Sequence, residues 1–61
     1  PSMAIEQRLR ELDARHRDLD IIIKNEAQRP SVDPARITAM KRQKLKLKEE
    51  IETIRQSLDH H

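Results

Sequence analysis

The sequence predicts an all-α fold: an antiparallel, coiled-coil-like two-helix hairpin that assembles into a four-helix dimer or a larger oligomer. Three observations carry this reading. Strong helix formers (Leu, Ala, Arg, Lys, Glu, Gln) dominate, and no glycine interrupts them. Two stretches repeat an apolar position at alternating steps of three and four residues, the spacing of helices packed side by side. Between them lies one break, RPSVDPAR.

The first element is expected over residues 3–28. Its seam is Ile5, Leu9, Leu12, His16, Leu19 and Ile23, with steps of 4, 3, 4, 3 and 4. Pro30 ends it, because the residue before a proline avoids the α region. The hinge covers residues 29–33. Asp33 then caps the second helix, and Pro34 takes the first helical position, where a missing N–H costs nothing. That helix is expected over residues 34–58, with a seam of Ile37, Met40, Lys44, Leu47, Ile51, Ile54 and Leu58. A short hinge makes the two helices antiparallel neighbours. Folded at Pro30, the seams pair Ile23 with Ile37, Leu19 with Met40, His16 with Lys44, Leu12 with Leu47, Leu9 with Ile51 and Ile5 with Ile54. One polar layer, His16 and Lys44, then interrupts an aliphatic seam. Such a layer fixes register and partner number at some cost in stability. His16 is expected to donate a hydrogen bond within it, and a histidine there makes a pH-sensitive layer a second reading. Glu6–Arg10, Glu11–Arg15, Asp20–Lys24 and Lys48–Glu52 stand four apart and favour helicity.

The chain is one domain, 1–61. With 61 residues it buries only about 60% of the surface its unfolded chain exposes. It has no cysteine for a disulfide, and its residues form no tetrahedral Cys/His zinc site. Self-association, or very regular helix packing, remains as the way to stabilise so small a fold. Ile21, Ile22 and Leu45 lie off the seam and are the expected oligomer or partner contacts. No apolar run approaches the ~20 residues of a membrane span, and PSMAIEQRLR lacks the apolar stretch of a secretory signal. The expected location is cytoplasmic. Pro1–Ser2 and His60–His61 have the look of tag remnants around a native start at Met3; Ser2, where native, would cap the first helix.

The net charge is only +2, but it is uneven. Residues 1–30 hold six cations and six anions, whereas residues 36–48 hold six cations and no anion. Arg36, Lys41, Arg42, Lys46 and Lys48 form a basic surface of three possible meanings: a solvated face, a nucleic-acid surface, or a surface for an acidic protein or a membrane. Clustered cations displace counterions from phosphates, which favours nucleic acid. Against this, no aromatic is present to stack on bases. The plainer meaning is a solvated face whose lysines pair with Glu11, Asp13 and Asp20. No catalytic, cofactor or metal site is expected. Ser31, Thr38 and Thr53 have no base in register, no glycine-rich phosphate loop exists, and His16 with Asp13 and Asp20 is a weak ligand set.

One resemblance adds to this. Leu12, His16, Leu19, Asp20 and Ile23, the short hinge with Asp33, and the run Lys44-Leu45-Lys46-Leu47-Lys48-Glu49-Glu50-Ile51 resemble the YdcH-like family of small bacterial proteins. Glu49 stands where Asp is expected. The likeness covers roughly residues 9 to 54. It implies a helical hairpin in a bacterial cytoplasm and no assigned activity. The expected function is therefore that of a non-enzymatic interaction or adaptor protein, self-associating and presenting helix faces to an unidentified protein partner. The alternative is a nucleic-acid-associated protein binding phosphates through residues 36–48.

Overall fold

A computed structural model describes residues 2–59, and of Ser2 the backbone alone. The expected Ser2 cap and the suggested remnants at Pro1, His60 and His61 fall outside the described residues. Two helices make up the fold: α1, Ser2–Ala27, and α2, Pro34–Asp59. They pack against one another as a hairpin with extents of 49 × 15 × 12 Å. No strand occurs among the described residues.

Both boundaries follow from local chemistry. At the end of α1 the N–H groups of Gln28 and Arg29 donate to the carbonyls of Asn25 and Glu26 at 3.3 and 3.2 Å. These i→i+3 bonds tighten the last turn and satisfy carbonyls that α-geometry would leave open. Pro30 follows and has no N–H with which to continue. Lys24 sits in this last turn, where a cation complements the partial negative end of the helix. At the start of α2 the Asp33 carboxylate accepts the Ala35 N–H at 3.0 Å. The Asp33 carbonyl accepts the Ile37 N–H at 3.2 Å, the first bond of the helix. Asp33 is thus the cap and Pro34 the first helical residue, as their order in sequence implies. α1 starts and ends one residue before its expected bounds, and α2 runs one residue further.

Among the described residues, four ion pairs cross between the helices: Arg8–Glu50 at 3.5 Å, Asp13–Arg55 at 3.4 Å, Asp20–Lys44 at 2.8 Å and Glu26–Arg36 at 3.7 Å. Their residue numbers add to 58, 68, 64 and 62, which centre on 63. In that register Leu12 is level with Ile51, and Ile23 with Met40. These four are the buried aliphatic residues, exposed by 1%, 5%, 6% and 9% respectively. The fold-back at Pro30 had placed the partners one helical turn away, Leu12 with Leu47 and Leu19 with Met40. The crossing ion pairs instead centre the turn between Ser31 and Val32, so α2 slides along α1. The slip keeps apolar positions facing apolar positions, because both seams repeat in alternating steps of three and four.

Of the four i,i+4 pairs expected within helices, Asp20–Lys24 closes, at 3.0 Å. Glu6–Arg10, Glu11–Arg15 and Lys48–Glu52 do not come within 4.0 Å. Arg8 and Arg55 reach across to the other helix instead of pairing along their own.

Candidate interaction surface

A two-helix hairpin has two flanks where the helices meet solvent beside the seam, and here they differ in chemistry. Each residue advances about 100° around a helix, so α1 sends Arg15, Asp18, Leu19 and Ile22 to one flank and Asp13, Arg17 and Asp20 to the other.

The first flank is an apolar groove. Leu19 and Ile22 of α1 and Leu47 of α2 form its floor, with Arg15, Asp18, Gln43 and Lys46 along its edges. It continues past Lys46, Glu49, Glu50, Thr53 and Ile54. It then reaches Ala4, Ile5, Arg8 and Ser57 near the free ends, with Thr53 and Ile54 shared between the two stretches. Ile22 is 43% exposed, and Ile5 is exposed as well. Leu19, Leu47 and Ile54 are half-buried: the seam covers one side of each and the groove leaves the other open.

The second flank is polar. Asp13, His16, Lys44, Lys48, Ile51, Glu52 and Arg55 line one depression, and Arg10, Asp13, His16, Arg17 and Arg55 line its neighbour. His16 and Lys44 therefore share a groove, as a polar layer requires, but no hydrogen bond joins them. The Lys44 ammonium donates to Asp20 at 2.8 Å. His16 Nε2 is buried and has no hydrogen-bond partner among the described residues. The expected hydrogen bond of His16 is thus not made: Lys44 has only donors to offer, and the register puts Leu47 level with His16. Asp20 is the electrostatic centre of this flank. Hydrogen bonds from Lys44 and then Lys24 hold its carboxyl well below the usual range, at about 2.

The basic residues do not converge on one surface. Arg36 reaches Glu26 and Lys44 reaches Asp20. Lys41, Arg42, Lys46 and Lys48 have no carboxylate within 4.0 Å among the described residues. This corrects the expected pairing of the lysines with helix-one acids: Asp20 alone takes a lysine from this segment, Asp13 is held by Arg55, and Glu11 pairs with neither. Lys46 rims the apolar groove, Lys48 the polar flank, and Lys41 and Arg42 line neither.

Ile21, Ile22 and Leu45 are exposed, but the fold does not gather them. Ile22 lies in the apolar groove; Ile21, about 100° further round, and Leu45 line no part of it. The residues that complete a surface with Ile22 are Leu19, Leu47, Ile54 and Ile5. All four are seam positions, and nothing in the seam pattern alone distinguishes a covered side from an open one.

Thr53 spends its hydroxyl on the Glu49 carbonyl of its own helix, at 2.9 Å. Groups of three or more His, Asp or Glu side chains placed to hold a metal do not occur among the described residues. Among the described residues, no helix is long and apolar enough to cross a membrane. A family model described as a protein of unknown function, DUF465, matches residues 9–55. No curated protein and no solved structure matches the chain.

Proposed function

The chain belongs to the DUF465 family of proteins of unknown function, and from that premise we propose that it is a small non-enzymatic interaction module that presents helix faces to a polypeptide partner. The observation that carries this is the apolar groove along one flank, floored by Leu19, Ile22 and Leu47 and continued by Ile54 and Ile5. Packed helices bury their apolar stripe, and a stripe left half open beside a rim of mixed charge is the shape of a docking surface. The grooves are shallow and open, which supports a reading without catalysis: deep, water-excluding clefts are where carboxylate and hydroxyl chemistry is tuned. A cytoplasmic adaptor is the setting this reading assumes.

A second reading has its own support. Lys41, Arg42, Lys46 and Lys48 carry free ammonium and guanidinium groups on α2, available to phosphates. They are spread around the helix, so a single nucleic-acid strand would meet only some of them at once.

Placing a photo-crosslinking amino acid at Ile22, with a parallel copy at Arg42, separates the two readings in cells. The proposal expects discrete polypeptide adducts from position 22. Nucleic-acid adducts from position 42, with no polypeptide adduct from 22, would overturn it.

A further inference from the structure

We propose that the apolar groove is filled by a second copy of this chain, packed about a two-fold axis that runs along the hairpin, so that α1 of one copy lies over α2 of the other. This rests on the interaction reading above and names its first partner.

Among the described residues four apolar side chains are buried, a small core for a 61-residue chain without disulfides. The groove runs along one flank from Ile22 to Ile5, apolar at Leu19, Ile22 and Leu47 and again at Ile54 and Ile5, with the Arg8–Glu50 ion pair crossing between them. The face it belongs to measures 49 by 15 Å, a footprint of roughly 700 Å² on each copy. Stable interfaces cover about 800 Å² per partner, so a second copy has the area it needs.

Charge selects the partner and its orientation. On the α1 rim stand Arg15 and Asp18; on the α2 rim stand Glu49 and Lys46. In the register set by the crossing ion pairs, Asp18 is at the height of Lys46 to within one residue, and Arg15 at the height of Glu49. None of the four has an ionic partner within 4.0 Å among the described residues of its own chain. A two-fold axis along the groove keeps every height unchanged and exchanges the rims. It therefore brings Asp18 against Lys46 of the second copy and Arg15 against Glu49 of the second copy, each contact occurring twice. An isologous interface demands this self-complementarity. The same operation leaves every helix beside antiparallel neighbours, the usual arrangement of a four-helix bundle.

The experiment measures mass by sedimentation equilibrium across a wide protein concentration range. The chain alone, of 7.2 kDa, should reach twice that mass. Asp18→Lys and Lys46→Glu should each weaken the dimer roughly tenfold, since each places like charges together at two symmetric contacts. An equimolar mixture of the two variants should restore association, because both contacts are then opposite in sign. Ile22→Asp should give a monomer while Ile21→Asp remains dimeric, with helicity followed by circular dichroism. Where Ile22→Asp loses its helicity, the charge exchange decides alone. A chain that stays monomeric throughout overturns the proposal, and so does a dimer indifferent to both charge reversals and to their mixing. A monomeric chain that still gives polypeptide adducts at position 22 sinks the second copy as occupant while leaving the interaction reading intact.

Discussion

Leu12 is the residue on which the hairpin depends most, and Leu12→Ala measures how much. Its side chain is 1% exposed and sits near the middle of α1, level with Ile51, itself 5% exposed. Truncation removes three carbons from a site enclosed by both helices, and neither helix can move in without disturbing the crossing pairs at Arg8–Glu50 and Asp13–Arg55 on either side. Substitutions of this kind cost about 2–5 kcal/mol; with partial collapse in so thin a molecule, about 3 kcal/mol is expected. For a domain of this size that lowers the melting temperature by roughly 15 °C, at about 4–8 °C per kcal/mol. Leu45→Ala is the internal comparison: Leu45 is 55% exposed, and its truncation should change stability by less than about 0.5 kcal/mol. Urea and thermal melts followed by circular dichroism, at one protein concentration throughout, supply both numbers. A cost at Leu12 below about 1 kcal/mol, or one no larger than at Leu45, would refute the packing described here.

Four further expectations follow from the same contacts. A double-mutant cycle should find stronger coupling between Leu12→Ala and Ile51→Ala, within the roughly 0.5–3 kcal/mol seen for touching residues, than between Leu12→Ala and Leu47→Ala; the reverse order would restore the register one turn away. Asp33→Ala removes the acceptor of the Ala35 N–H and should cost about 1 kcal/mol, read from the same melts. His16→Leu removes a buried ring nitrogen that has no partner and should raise stability by about 1 kcal/mol; a lower melting temperature would mean that the imidazole makes a bond it does not show. Asp20, with its folded pKa lowered from 3.8 to about 2 by Lys44 and Lys24, contributes stability that is present above pH 4 and is lost as pH falls from about 4 towards 2. Carboxyl NMR titration should find that value in the folded chain, and Lys44→Met should move it upward; an Asp20 that titrates near 3.8 in both would show that the pair does not persist in solution.

The sequence made some features legible and hid others for definite physical reasons. Pro30 and the Asp33-Pro34 pair marked the helix ends because their effects are local: a missing N–H, a fixed φ and a short carboxylate beside free N–H groups. The seam residues were legible too, since steps of three and four admit few alternatives to paired helices. Register was not legible. A slip of one turn leaves Leu12 facing an aliphatic residue either way, Leu47 or Ile51, so the apolar pattern is nearly degenerate. The choice shows in the acids that Arg8, Lys44 and Arg55 reach across the seam: Glu50, Asp20 and Asp13. The candidate surface inherited that ambiguity. Ile21, Ile22 and Leu45 stand out as off-seam aliphatics, yet Ile22 alone joins the groove. The partners of Ile22 are seam residues with one open side, and the rim charges Asp18 and Lys46 acquire meaning only once their heights are known. A helical projection of both seams at the register of the crossing ion pairs is the signal that would have found them.

In the proposed function this chain works through its apolar groove on polypeptides rather than through its free cations on phosphates. The most direct measurement is a titration of labelled duplex and single-stranded oligonucleotides at low and high salt, followed by fluorescence anisotropy. The proposed function predicts no specific binding at either salt, and no response to Arg42→Glu or Lys41→Glu. Micromolar binding that collapses as salt rises, and that disappears with those two substitutions, would contradict it and make the basic face of α2 the working surface.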